Sequence, residues 1–299
     1  MFIKRLFSTI ILLGLFGGSV FAPKPYSWII FLLLCCLLTL TLVLEICNIV
    51  KNLGMETYRC FAAVVCTLFA AAACIGVFKE NLFFLFIIIA AVLPALSSPL
   101  FILFSKNSGE KIRKWFDTFI VSYFVMLPVF LIISVYFTGA HLGNTGGKFN
   151  GYFLIFILLT KIGDIGAYVI GTLSNKLMKG GNHKMVPSIS PGKSWEGAAG
   201  GLIVTILLAV GFHYWLPQLV VVKTLPLAIV TGVCMFFGSV AGDLMESVLK
   251  RAAGVKDSGS VSPGIGGVFD LVDSLFVTAP VFMLIYFTKL FLSNLHEYF

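Results

Sequence analysis

Nine long apolar runs, separated from one another by polar intervals, set the pattern of this chain. They lie at approximately 6–22, 27–50, 60–78, 81–104, 115–139, 151–173, 197–216, 224–246 and 273–292. About 20 apolar residues in a helix cross the hydrocarbon core of a bilayer. The pattern therefore predicts an all-α integral membrane protein, a polytopic bundle of about nine transmembrane helices. The first run follows Lys4-Arg5 and ends in SVFA ahead of Pro23. Val20 and Ala22 resemble the small residues of a signal-peptide cleavage site; a proline directly after the cut disfavours cleavage, and the run is taken as a span. Glu45, near the end of the second span, faces either the bundle or the interface. Pro94 and Pro128 predict kinks. The first five spans read as plain scaffold, which divides the chain into scaffold helices over 1–140 and a polar-bearing region over 141–299. The polar residues of that second region concentrate in 242–274.

Composition agrees. Of 299 residues 59% are hydrophobic and 11% charged, and the mean hydropathy is +1.03; a soluble domain carries about 25% charged residues. Seven cysteines fall in or beside apolar runs, with no CxxC pair and no histidine at metal-ligand spacing. They read as small buried hydrophobes. The net charge of +8 does not point to nucleic acid, because the basic residues are spread over many loops. Fifteen of them fall in one set of alternate loops, from Lys4 and Arg5 to Lys250, Arg251 and Lys256; five (Lys24, Lys79, Lys148, Lys223 and Lys289) fall in the other set, and Lys161 lies inside a span. Basic loops stay cytoplasmic. The N-terminus is therefore expected inside, with the loops 174–196 and 247–272 on the cytoplasmic side. The basic loop from Ser105 to Asp117 serves either as a topology determinant or as a contact for anionic headgroups.

The chemistry concentrates in GDLMESVLKRAAGVKDSGSVSPGIGGVFDLVDS, residues 242–274. Asp243, Glu246, Ser247 and Lys250 share a helix face by spacing, and Asp270 and Asp273 share another. Between them Pro263-Gly264 and Gly266-Gly267 signal turns. Acidic pairs that converge across such a loop suit Mg²⁺; Lys250, Arg251 and Lys256 beside them suit phosphate. That inventory fits metal-assisted phosphoryl or nucleotidyl transfer, although each charge taken singly reads equally as a solvated helix-end charge. A second constellation lies in the sixth span, where Lys161 and Asp164 are close enough in sequence to pair and Tyr168 is within reach of Asp164. Intramembrane charges are costly and usually functional; the alternative is a buried pair that fixes packing. Gly163, Gly166 and Gly171 allow a close helix approach. In Ser188 to Gly197, Ser190-Pro191 begins a turn, Lys193 and Ser194 suit a phosphate, and Glu196 caps or pairs. Without the Gly-rich loop and preceding strand, the GKS tripeptide is not a Walker A site. His183 reads as a solvated loop histidine.

Taken together these motifs resemble the phosphatidate cytidylyltransferases, or CDP-diacylglycerol synthases. The carriers are S-x-L-K-R-x4-K-D-x-G over Ser247–Gly259 and P-x-x-G-G-V-x-D-x-V-D over Pro263–Asp273. K-x-x-D-x-x-A-Y over Lys161–Tyr168, S-P-x-K-S-W-E-G over Ser190–Gly197 and GD-x-x-E-S over Gly242–Ser247 accompany them in the same order. The resemblance covers about residues 150–290. Where the family usually has His this chain has Ile265, and where it usually has Arg this chain has Leu271; Gly192 and Ser262 also depart from it. A histidine at position 265 is thus not an obligatory base here.

The resemblance implies that CTP and phosphatidate give CDP-diacylglycerol and pyrophosphate at a polar active site on the cytoplasmic side of a multi-pass protein of the bacterial inner membrane. It implies one or two divalent cations, Mg²⁺ first, held by Asp243, Asp270 and Asp273. Lys250, Arg251 and Lys256 would neutralise the triphosphate, and Asp257 would hold metal or orient Lys256. Ser190, Lys193, Ser194 and Ser247 would bind substrate, with Asp164 and Tyr168 lining the pocket floor. CTP, phosphatidate and membrane lipids are the expected partners, nucleic acid is not, and a homodimer is left open. The rival readings are a cytidylyltransferase for another lipid phosphate, a cation-coupled transporter using Lys161 and Asp164, and an inactive homologue. A CDP-alcohol phosphotransferase would need a D-G-x-x-A-R motif that is missing here.

Overall fold

The computed structural model describes residues 2–78, 108–142, 150–216, 224–259 and 267–298. The span expected at 81–104, with Pro94, and the turn residues Pro263, Gly264 and Ile265 lie outside these. In chain order the elements are α1 (Phe2–Phe21), α2 (Tyr26–Asn52), α3 (Arg59–Phe78), α4 (Ser108–Leu142), α5 (Gly151–Leu177), β1 (Lys184–Val186), β2 (Ser190–Ser194), α6 (Trp195–Trp215), α7 (Leu225–Ala252) and α8 (Val268–Tyr298). Among the described residues seven helices, α2 to α8, are long and apolar enough to cross a membrane, and Ile10–Phe21 of α1 is a shorter apolar stretch. Large apolar side chains such as Leu68, Leu127, Leu207 and Leu284 are exposed, where a soluble protein would carry charge. This is a multi-pass helical membrane protein. Pro128 sits inside an unbroken α4.

The chain forms two compact units, residues 1–137 with 249–271 and residues 138–248 with 272–299. The polar stretch 242–274 is thus shared out: its middle belongs to the first unit and its flanks to the second.

In the first unit α2 packs against α1 and α3, burying Phe31, Leu42, Val43, Ile46 and Cys47. Phe31 stacks on Tyr136 of α4 with ring centroids 3.6 Å apart. The buried Tyr136 hydroxyl donates to the Ser19 carbonyl at 2.7 Å, the polar partner that a buried tyrosine requires. The connection between α2 and α3 is pinned to α4: the Glu56 and Tyr58 N–H groups donate to Asp117 Oδ2 at 3.1 Å and Thr118 Oγ1 at 2.8 Å. Of the cysteines, Cys35, Cys47, Cys66 and Cys74 are buried as expected, but Cys60 is exposed at the start of α3.

In the second unit α5 packs closely along α6, and glycine makes it possible. A Cβ on Gly201 would lie 2.6 Å from the Gly163 carbonyl oxygen and 2.7 Å from the Phe236 ring. No side chain fits, so the backbones touch, as in small-residue packing within membranes. Thr160 donates to Thr278 at 3.1 Å, which ties α5 to α8. Residues 184–194, read from sequence as an irregular loop, form a two-stranded antiparallel hairpin with Lys184 opposite Ser194 and Val186 opposite Ser190.

Candidate active site

In the second unit α5, both strands of the hairpin, α6 and α7 line a cavity of about 250 Å³. Asp164 and Tyr168 come from α5, Ser190, Lys193 and Ser194 from β2, and Asp243 from α7; Phe236 and Met185 add apolar walls. Six residues singled out from sequence therefore line one space. The hairpin delivers Lys193, whose Nζ lies 3.3 Å from Asp243 Oδ2 and donates to the Val240 carbonyl at 3.4 Å. Ser194 ends β2 and caps α6, its Oγ accepting from the Gly197 N–H at 3.1 Å. The first turn of a 21-residue helix thus opens beside the cavity, where its N–H groups favour anions. Tyr168 lines the cavity but stays 75% exposed; it makes no hydrogen bond to Asp164.

The expected Lys161–Asp164 pair is not what forms. Lys161 Nζ donates to Ser274 Oγ at 2.6 Å and lies 3.7 Å from Asp273 Oδ1. Asp164 instead accepts from Ser239 Oγ at 3.3 Å. Spacing of three residues makes a pair available; a buried partner on another helix that also needs a charge takes precedence. Asp273 is buried and has the Asp243 carboxyl group as a like-charged neighbour. α7 and α8 come this close because position 242 is glycine: a Cβ there would overlap the Asp273 carbonyl oxygen and lie 2.7 Å from Ser274 Cα. Gly242→Ala is expected to cost about 1–3 kcal/mol through overpacking, read as a lower unfolding temperature in detergent.

Ser239 and Ser274 were not among the sequence candidates. Ser239 lies four residues before Asp243, on the same helix face, and that spacing was the available signal. Ser247, one turn beyond Asp243, is half-buried. Glu196 does pair, with His183, whose Nδ1 is 2.6 Å from its Oε1.

In the first unit Lys250 Nζ lies 2.7 Å from Asp270 Oδ1, and Asp270 Oδ2 accepts from the Gly267 N–H at 2.9 Å. Arg251, Lys256 and Asp257 are exposed at the end of α7 and in the turn after it. Leu271 is half-buried in the first turn of α8.

Among the described residues no group of three or more His, Cys, Asp or Glu side chains forms a metal cage. Mg²⁺ rarely needs one: it is bound by one or two carboxylates, with substrate phosphates and water completing its shell. Two neighbouring carboxyl groups, Asp243 and Asp273, repel one another unless a proton or a cation lies between them. The donor set fits a hard divalent ion.

These features define a class: a multi-pass helical membrane protein with a cavity lined by acids and a lysine. The chain belongs to the cytidylyltransferase family, whose model matches residues 3–289. A phosphatidate cytidylyltransferase of Haemophilus influenzae is 41% identical over 146 residues, 48% of this chain and 49% of that protein. One from Staphylococcus saprophyticus is 35% identical over 159 residues, 52% and 58% of the two chains. The chloroplastic phosphatidate cytidylyltransferase 5 of Arabidopsis thaliana is 45% identical over 129 residues, 42% and 30%. The chain spans about half the length of the curated relatives that it matches, or less.

Proposed function

We propose that this protein is a CTP:phosphatidate cytidylyltransferase. The observation that carries the reading is the assembly of Asp164, Tyr168, Ser190, Lys193, Ser194 and Asp243 around one cavity in a chain of the cytidylyltransferase family. A phosphate oxygen of phosphatidate attacks the α-phosphorus of CTP. The bond from that phosphorus to the oxygen bridging to the β-phosphate breaks, and pyrophosphate leaves with the electron pair. A phosphate monoester is already an anionic nucleophile, so no strong base is required and the absence of a histidine at position 265 is tolerated. What the protein must supply is alignment and charge neutralisation.

Lys193 and the first turn of α6 receive a phosphate group. Lys161 holds Asp273 in place. Lys250, Arg251 and Lys256 neutralise the triphosphate and the departing pyrophosphate, and Asp257 orients Lys256. A divalent cation, Mg²⁺ first, would be held by Asp243 and Asp273 and would draw charge from the phosphoryl oxygens. Acyl chains stay in the bilayer. The distribution of basic residues supports a cytoplasmic N-terminus and a cytoplasmic site in a bacterial inner membrane. Nucleic acid has no part in this reading, and a homodimer is compatible with it.

The test combines the purified chain in detergent with CTP, phosphatidate and Mg²⁺. CDP-diacylglycerol and pyrophosphate should form in equal amounts, and EDTA should stop the reaction until Mg²⁺ is restored. Turnover of a different lipid phosphate alone would move the substrate; no turnover with any would remove the reading.

A further inference from the structure

The helix that carries Asp270 and Asp273 begins without a cap of its own. α8 starts at Val268, and the residue before it is Gly267, which has no side chain to accept from the first-turn N–H groups. Those groups need acceptors when buried. Glu45, 223 residues earlier in sequence on α2, provides them: its Oε1 accepts from the Val268 N–H at 2.9 Å, and its Oε2 from the Phe269 N–H at 3.0 Å. Ser258 Oγ donates to the same Oε2 at 3.5 Å. The Gly267 N–H turns to Asp270 instead. The arrangement is a capping box in which a carboxyl group from a distant helix replaces the cap residue.

Space around this carboxyl group is fully used. A Cβ on Gly259 would lie 2.7 Å from Glu45 Oε1; a Cβ on Gly267 would lie 2.7 Å from Oε2 and overlap the Ser258 hydroxyl. Two glycines of the 247–273 motif are therefore glycines because the backbone closes on Glu45. Glu45 itself is 0% exposed. A carboxyl group buried among apolar helices is costly unless every lone pair it presents is used, and here both oxygens are used on one short segment. That segment includes Asp270, whose two oxygens are divided between the Gly267 N–H and Lys250. The direction of the Asp270 carboxyl group is thus set by where the first turn of α8 is held.

We propose that Glu45 is a positioning residue: it caps α8 in place of Gly267 and so fixes Asp270, with Ser258 and Gly259 packed against it, for cytidylyl transfer. The proposal rests on the function proposed above. It attaches a role to the scaffold half of the chain, where the family motifs are silent.

The test uses the full chain in detergent with two readouts: hydrogen–deuterium exchange of peptides covering 267–271, and cytidylyl transfer titrated with Mg²⁺. Glu45→Gln presents an NH₂ group where an acceptor is needed. It should speed exchange over 267–271 and raise the half-maximal Mg²⁺ concentration about tenfold, the scale of supporting-residue effects at metal sites. Gly259→Ala, which pushes on the carboxyl group from the other side, should do the same and serves alone if Glu45→Gln does not fold. Val43→Ala is the control. Val43 is 0% exposed on the same helix, so its truncation should lower stability while leaving the 267–271 exchange and the Mg²⁺ midpoint as in wild type. Overturning results are a Glu45→Gln protein with wild-type exchange and Mg²⁺ midpoint, or a Val43→Ala protein that shifts both as much. A wild-type chain without turnover would remove the functional reading, and the exchange arm would still decide whether Glu45 caps α8.

Discussion

Asp243→Asn is expected to lower cytidylyl transfer by about a thousandfold, at the upper end of what one electrostatic group contributes at a preorganised site. The substitution keeps shape and removes charge. Asp243 lines the cavity, sits 3.3 Å from Lys193 and has Asp273 as a like-charged neighbour, so two explanations of a loss compete. If Asp243 serves only to hold Lys193, removing both charges together should do no further harm: the Lys193→Met, Asp243→Asn double variant would fall to the level of Lys193→Met alone. If Asp243 holds a cation, the double variant should be as inactive as Asp243→Asn, because a neutral neighbour cannot restore a ligand. The double-mutant cycle separates these, since contacting groups couple by about 0.5–3 kcal/mol. The expected result is the second, together with a Mg²⁺ titration that stays flat to millimolar concentrations. A double variant no less active than Lys193→Met alone would reassign Asp243 to an ion-pair role.

What the sequence made legible, and what it hid, divides by the kind of partner. Asp164, Lys193 and Asp243 stand out because charge in so apolar a chain is rare, and their gathering at one cavity follows the motif order. The helices were legible for the same reason, as long apolar runs. The hairpin at 184–194 was not: strands of three and five residues, one containing Pro191 and Gly192, show no alternation to read. A Lys161–Asp164 pair is available from the sequence because local spacing is visible, whereas a competing residue 112 positions later is not. Glu45 was visible as an acid, but its partners are backbone N–H groups, which leave no trace in residue identity. Only the two glycines pressed against it, Gly259 and Gly267, carry a sequence sign of the contact. That sign reads as a flexible turn until the geometry gives a reason for the missing side chains.

Lys250→Gln is the second large expected loss, about a hundredfold in kcat/KM for CTP, which corresponds to about 2.7 kcal/mol of transition-state stabilisation. Lys250 and Asp270 form a close, mostly buried pair at 2.7 Å, with side chains 14% and 23% exposed. Removing one member leaves the other charge poorly compensated, so stability will fall as well, and a drop in activity alone says little. The discriminating quantity is product inhibition. If Lys250 neutralises the triphosphate and the leaving pyrophosphate, Lys250→Gln should weaken pyrophosphate inhibition about tenfold or more, while the KM for phosphatidate stays near wild type. Lys250→Arg keeps the charge and the Asp270 contact and should retain most of the affinity for pyrophosphate. Were Lys250 there only to steady Asp270, Lys250→Gln would raise the Mg²⁺ requirement and leave pyrophosphate inhibition unchanged. Pyrophosphate is the right probe because it carries the charge that builds up in the transition state and lacks the base and the lipid. A change in its affinity therefore reports on phosphate neutralisation and on nothing that nucleoside or acyl-chain contacts contribute.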